Sequence, residues 1–284
     1  MELTIELTNA CKNKCIHCSS SAISDARLSK TLPTTTVLEI VHDLKPKKVI
    51  LSGGEPFLHP DLETIISGVK KLCPVLAINT SAIFDVTNIP ANIHLVDEFY
   101  VSIFCYDNEK ITMNPGWMIT GKPLFFATIL KMHSNARTWF NVVIFSDDQA
   151  NDIASISYHL EIPVHVIKLI ARGRGTRVES LPIERQRWIA RSIIDQLDPS
   201  RIDDRIPPFL RDEGYGDIEF SAIRDEASKK MKWLHPRCKI SHSLLDGACR
   251  AREKRTLLPD GRVIGCVAGK GVDERFDIIK ACNK

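Results

Sequence analysis

What this chain of 284 residues lacks already narrows its function. No apolar run approaches the ~20 residues that span a bilayer, so no membrane role is expected. The opening MELTIELTN alternates and carries acids, so it reads as a strand and not as a secretion signal. Net charge is scarce: 38 Lys+Arg against 35 Asp+Glu leave +3, too little to imply nucleic-acid binding by itself. Internal repeats and low-complexity tracts are absent, and a composition of 44% hydrophobic and 26% charged residues excludes disorder. Cysteine, by contrast, is abundant, with nine in the chain. Without a secretion signal they point to metal ligation more than to disulfides.

Short β-type runs alternate with helical runs. The expected strands are Leu3–Leu7, Lys48–Ser52, Val75–Asn79, Phe99–Phe104, Phe140–Phe145 and Val164–Ile170, mostly continuous in apolar character as buried parallel strands are. Between them, Val37, Leu38, Ile40, Val41 and Leu44 recur at helical spacing, as do Leu62, Ile65, Ile66, Val69 and Leu72. Leu124–Met132, Ile153–Leu160 and Ile183–Leu197 complete the helical series. This alternation predicts an α/β fold with a parallel sheet, helices outside it, and every strand's C-terminal end on one face, where ligands bind. After Leu197 the pattern changes. Residues 198–218 are polar and proline-rich, a helical run follows over Ala222–Leu234, and four of the nine cysteines come from Cys238 onward. A boundary is therefore expected between a core, 1–200, and a linker with a small C-terminal region, 201–284.

Directly after the first strand, TNACKNKCIHCSS sets Cys11, Cys15 and Cys18 in a C-x3-C-x2-C array. Three thiolates on one loop can converge on a metal centre. A [4Fe–4S] cube held this way keeps one iron without a protein ligand, whereas an electron-transfer cluster ordinarily uses four cysteines. A structural zinc site, with His17 as fourth ligand, is the alternative. At the end of the second strand stands LSGGEPFLHPDL, with Gly53, Gly54, Glu55 and Pro56. Two glycines permit positive φ and close backbone approach to a ligand. Glu55 adds a carboxylate and strand-end carbonyls add acceptors, which together suit an ammonium group.

The cysteine array, with His17 before its third cysteine and the GGEP segment one strand later, resembles the signature of the radical S-adenosylmethionine (SAM) superfamily. The resemblance covers roughly residues 1–180. It implies a partial (β/α)6 TIM-type barrel, a [4Fe–4S] cluster on Cys11, Cys15 and Cys18, and SAM on its open iron. Gly53, Gly54, Glu55 and Pro56 would then hold the SAM amino group. Ser102 on the fourth strand and Asn141 on the fifth are further candidate SAM contacts. The sixth strand ends VIKLIARGRG, whose Arg172 and Arg174 would bind the SAM carboxylate or an acidic substrate. Relatives often carry tyrosine-glycine where this chain has Phe104-Cys105. The implied chemistry is reductive cleavage of SAM to a 5′-deoxyadenosyl radical that abstracts hydrogen from a substrate. It implies an electron donor such as flavodoxin or ferredoxin.

The tail holds CKISHSLLDGACRAREKRTLLPDGRVIGC and then Cys282. Pro259-Asp260-Gly261 predicts a type I turn in a β-hairpin that brings Cys249 and Cys266 together. The Cys249, Gly261, Cys266 spacing resembles the twitch and SPASM extensions of radical SAM enzymes. That resemblance implies one auxiliary [4Fe–4S] cluster, completed by Cys238, Cys282 or both; a zinc-stapled hairpin is the alternative. Such extensions favour oxidation or cross-linking of a ribosomally made peptide, with a separate peptide-recognition protein delivering it. The competing readings are dehydrogenation or rearrangement of a sugar alcohol or nucleoside, a non-catalytic Fe–S electron carrier or sensor, and RNA modification. The GGEP segment speaks against the carrier, and Arg250–Arg255 is better read as solvated or beside cluster thiolates than as an RNA site.

Overall fold

The computed structural model describes residues 1–13, 15, 17–103, 121–144, 149–169, 173–177, 180–202, 220–241, 244 and 254–265. Six parallel strands follow one another through the chain: β1 (Glu2–Thr8), β2 (Lys48–Gly53), β3 (Val75–Thr80), β4 (Glu98–Ile103), β5 (Arg137–Val143) and β6 (Val164–Ile167). They are interleaved with α1 (Thr34–Leu44), α2 (Leu62–Leu72), α3 (Gly121–His133), α4 (Gln149–Leu160) and α5 (Ile183–Gln196). A further helix, α6 (Phe220–Leu234), precedes the short strand β7 (Lys239–Ile240) and a hairpin of β8 (Lys254–Leu257) and β9 (Val263–Gly265). The sheet order is β7-β6-β5-β4-β3-β2-β1-β8-β9, parallel throughout except between β8 and β9. This is the expected fold class: an open, mostly parallel α/β sheet, consistent with a partial TIM-type barrel. Among the described residues no helix is long and apolar enough to cross a membrane.

Alternation along the strands separates the two faces. Leu3, Ile5, Leu7, Val49, Leu51, Leu76, Ile78, Phe99, Val101 and Phe140 pack with Val37, Val41, Ile65, Val69, Leu130, Ile153 and Ile189 of the helices in one core. The opposite face carries Thr4, Ser52, Asn79, Ser102, Asn141 and His165. Because these strands are parallel neighbours in sequence order, their C-terminal ends lie along one rim.

The strands begin and end somewhat differently from the apolar runs. Strand β5 starts at Arg137, ahead of the apolar stretch, because the Arg137 guanidinium bonds Glu98 across the β4–β5 pair and its N–H reaches Asp97 O at 2.9 Å. Strand β6 stops at Ile167, before Leu169 and Ile170. Phe104 and Cys105 lie outside the described residues, as does most of the expected linker. The C-terminal turn forms as its residues predict: Gly261 N–H bonds Leu258 O at 2.9 Å, and Gly261 takes φ +82°. The hairpin extends the main sheet, with Glu2 facing Lys254 in parallel register on β1.

At the opposite rim, the strands' N-terminal ends share one carboxylate. Glu98, with a side chain 6% exposed, accepts hydrogen bonds from Lys48, Arg137 and the Tyr100 hydroxyl, the last at 2.9 Å. Burial raises its pKa, but Lys48, Tyr100 and Arg137 outweigh burial and hold it below the usual carboxylate value. Its contribution to stability is therefore complete above the unfolded carboxylate range and is lost as pH falls through the lower folded value. In denaturant titrations Glu98→Gln should lower stability at pH 7 by about 1–3 kcal/mol and flatten the acid limb of the stability profile. An unchanged acid limb would remove Glu98 from that role.

Candidate functional site

The loop after β1 is a hoop with a paired stem. Cys11 N–H bonds Ile23 O at 2.9 Å, Ile23 N–H bonds Asn9 O at 2.7 Å, and Lys30 N–H bonds the Asn9 Oδ1 at 2.6 Å. Cys11, Cys15 and Cys18 all lie on the hoop that this stem closes, above the rim of strand ends. Two sulfurs already receive backbone donors, Asn13 N–H to Cys11 Sγ at 3.4 Å and Ala22 N–H to Cys18 Sγ at 3.3 Å. Such N–H···S contacts stabilise thiolates bound to iron. Burial pushes the Cys11 thiol up to about 12, with Glu55, Cys15 and Cys18 adding to it, so metal loading must displace its proton.

Among the described residues no three His, Cys, Asp or Glu side chains converge as one metal ion would require. An iron–sulfur cube does not need such convergence, because each cysteine binds a different iron. Burial, then Arg174, lowers the pKa of His17 to about 4, so its ring is neutral.

The GGEP segment docks onto the stem of this hoop. Gly54 N–H bonds Thr8 O at 2.6 Å and Glu55 N–H bonds Ala10 O at 2.8 Å. A Cβ on Gly53, whose φ is +125°, would stand 2.3 Å from Thr8 O, and one on Gly54 would stand 2.2 Å from Ala10 O. The close approach expected of these glycines is therefore to the backbone just before Cys11. Pro56 opens the single turn Pro56–Leu58.

Glu55 is wholly buried. Its Oε1 accepts the Thr80 hydroxyl at 2.7 Å and Phe57 N–H at 3.4 Å, and its Oε2 accepts the Ser81 hydroxyl at 2.6 Å and Ser81 N–H at 2.9 Å. Burial raises its pKa against the pull of these donors. Four donors fill the lone-pair positions of a carboxylate, so Glu55 pins the segment to the end of β3. Of the segment's backbone carbonyls, Glu55 O accepts Leu58 N–H and Pro56 O accepts His59 N–H, each at 3.0 Å, so the acceptors expected to meet an ammonium narrow to those of Gly53 and Gly54.

On the inner face a polar belt crosses the sheet. Asn79 donates to the Ser52 hydroxyl at 3.3 Å, Asn141 donates to Asn79 Oδ1 at 3.4 Å, and His165 Nδ1 lies 3.1 Å from Asn141 Oδ1. Ser102 is the register partner of Asn141, so these two candidate contacts share one position along the strands. Sequence reasoning missed His165; the available signal was its place on the same face as Asn141. Burial, with Lys239, Lys254 and Lys48 nearby, lowers its pKa to about 4.

The remaining candidates divide. Arg172, Cys249, Cys266 and Cys282 lie outside the described residues. Arg174 bonds the cysteine hoop, its Nε to Cys15 O at 2.8 Å and its Nη1 to Ala22 O at 2.6 Å. Cys238 packs among Ala154, Tyr158, Leu197, Ala227, Met231 and Leu234, on the helix side of the sheet. Its Sγ accepts Val164 N–H at 3.5 Å, and burial raises its thiol to about 11. It precedes β7, at the far edge of the sheet from the β8–β9 hairpin.

Comparison with known proteins places these features in context. Residues 5–143 match the model of the Radical SAM superfamily. A stretch of 74 residues is 35% identical to the PqqA peptide cyclase of Gluconobacter oxydans (strain 621H), covering 25% of this chain and 21% of that protein. The crystal structure of Streptococcus suis SuiB aligns with a TM-score of 0.63 at 16% identity, covering 96% of this chain and 61% of SuiB. SuiB bound to precursor peptide SuiA aligns at 0.62 and 15% identity over the same shares. At that identity the likeness is one of fold. The chain thus spans about three-fifths of the length of SuiB and about one-fifth of that of the cyclase.

The packing of Gly54 yields a direct test. Gly54→Ala should push the GGEP segment off the hoop and cost about 1–3 kcal/mol in denaturant unfolding, while leaving the far-UV spectrum intact. A variant as stable as the parent would contradict the docking.

Proposed function

Residues 5–143 form a radical SAM domain, and from that premise we propose that the chain is an enzyme that cleaves SAM reductively and oxidises or cross-links a ribosomally made peptide. The observation that carries the SAM reading is the docking of Gly53-Gly54-Glu55 onto the stem of the hoop bearing Cys11, Cys15 and Cys18. It sets an ammonium-accepting segment directly beside a three-thiol loop. When bound, the cluster and SAM supply the electron and the 5′-deoxyadenosyl group that removes hydrogen from the substrate.

This chain's residues would divide the remaining work. Cys11, Cys15 and Cys18 hold the cube, with Asn13 and Ala22 N–H groups steadying two of their sulfurs. Strand-end carbonyls of the GGEP segment take the SAM amino group, and Glu55 fixes that segment from beneath. Ser102 and Asn141, on adjacent strands of the polar face, orient the sugar or carboxylate of SAM, with Arg172 a further candidate. The inner polar belt keeps the reacting groups beside fixed dipoles, where orientation counts most.

The peptide reading is supported by what the relatives act on: one is a PqqA peptide cyclase and another was solved with its precursor peptide. An auxiliary [4Fe–4S] cluster on Cys249, Cys266 and Cys282 would accept the electron released after hydrogen abstraction. The packing of Cys238 among helix side chains counts against its joining them. A flavodoxin or ferredoxin would reduce the first cluster, and a separate recognition protein would present the peptide.

Anaerobically reconstituted protein with dithionite and SAM should release 5′-deoxyadenosine, measured by liquid chromatography. Cys11→Ala, Cys15→Ala or Cys18→Ala should abolish it, and turnover in any of the three would overturn the site. Iron should total about eight per chain, for two four-iron clusters, and fall to about four in the Cys249→Ala/Cys266→Ala double variant. A parent value near four, unchanged by that substitution, would remove the auxiliary cluster.

A further inference from the structure

The turn after β6 reaches across the top of the sheet to the loop after β1, although β6 and β1 are five strands apart in the sheet order. Three hydrogen bonds join them: Arg174 N–H to Cys18 O at 3.0 Å, Arg174 Nε to Cys15 O at 2.8 Å, and Arg174 Nη1 to Ala22 O at 2.6 Å. The contact is too close for any side chain on the preceding residue. Gly173 has φ +59°, and a Cβ there would stand 2.7 Å from both Cys18 O and Ser19 O. The hoop is thus gripped on one side by GGEP and on the other by Gly173-Arg174.

One nitrogen of this arginine is left over. Arg174 Nη2 is buried and has no hydrogen-bond partner among the described residues. A guanidinium stays protonated in proteins, and a buried donor without an acceptor is costly. A cube carried on three thiolates is anionic, so its sulfurs would satisfy both the spare donor and the charge.

We propose that Arg174 is a positioning residue with two tasks: its planar fork holds the carbonyls of Cys15 and Ala22 so that the hoop keeps its cluster-binding shape, and its fixed positive charge beside the thiolates favours the reduced cluster. The second task rests on the radical SAM reading; the first stands without it. Lysine would keep the charge and lose the fork, and glutamine would lose both. The two variants therefore separate the tasks.

Hydrogen exchange of the metal-free full chain reads the first, over residues 9–23. Potentiometric titration of the cluster whose EPR signal responds to SAM reads the second. Arg174→Gln should raise exchange in the hoop at least tenfold and shift the reduction equilibrium about tenfold toward the oxidised form, ~59 mV lower for one electron. Arg174→Lys should also loosen the hoop but keep the potential close to that of the parent. Unchanged exchange in both variants overturns the clamp. A loosened hoop with an unchanged potential in Arg174→Gln makes the arginine a structural staple only and overturns the proposal as stated. If the parent holds no SAM-responsive cube, the functional reading has failed, and exchange in the metal-free protein still decides the clamp.

Discussion

Everything at the candidate site depends on how closely two backbones approach. The end of β2 lies so near the start of the cysteine hoop that Gly53 and Gly54 have no room for a Cβ against Thr8 and Ala10. Hydrogen bonds from Gly54 and Glu55 to the same two residues then fix the height of Cys11 over the strand ends. Glu55 secures the arrangement from below, through Thr80 and Ser81 at the end of β3. Three consecutive strands thereby set the position of one loop. A thiol trio carried by a free loop would have to pay the entropy of ordering on metal binding, whereas here backbone hydrogen bonds already hold both ends of the hoop.

The sheet supplies the other half of the design. Its helix side is apolar and continuous, and its inner side carries a polar line of Ser52, Asn79, Asn141 and His165 beside a small apolar cluster of Ile50, Ala77, Tyr100 and Trp139. Alternation along each strand produces both faces from the same residues. The polar belt runs below the hoop, so a ligand held between them meets fixed amide and hydroxyl dipoles. Below the belt, the charges at the strands' N-terminal ends gather around Glu98, away from the site.

Much of this was legible in the sequence because it is local. Apolar runs marked all six parallel strands, helical spacing marked the helices between them, and Pro259-Asp260-Gly261 marked the hairpin turn. What escaped was non-local. Nothing near Arg137 in the chain shows that Glu98 would draw it into β5, nor that β8 would pair with β1 across the whole sequence. The chemistry of Glu55 invited an ammonium partner, but its true neighbours, Thr80 and Ser81, come from the next strand. Arg174 was expected to seek a carboxylate, and its donors instead reach carbonyls on a loop 159 and 152 positions earlier in the chain. Cys238 was expected as a candidate to complete a cluster with the later cysteines but packs instead against Leu234 and Met231.

The central claim is that the hoop of Cys11, Cys15 and Cys18 presents an iron that takes SAM through its amino and carboxylate groups. Electron–nuclear double resonance on the reduced protein, with SAM carrying nitrogen-15 in the amino group and carbon-13 in the carboxylate, tests this at the atoms concerned. Resolved hyperfine couplings from both labels are the predicted result. A reduced cube whose spectrum shows neither label in the presence of saturating SAM would contradict the account.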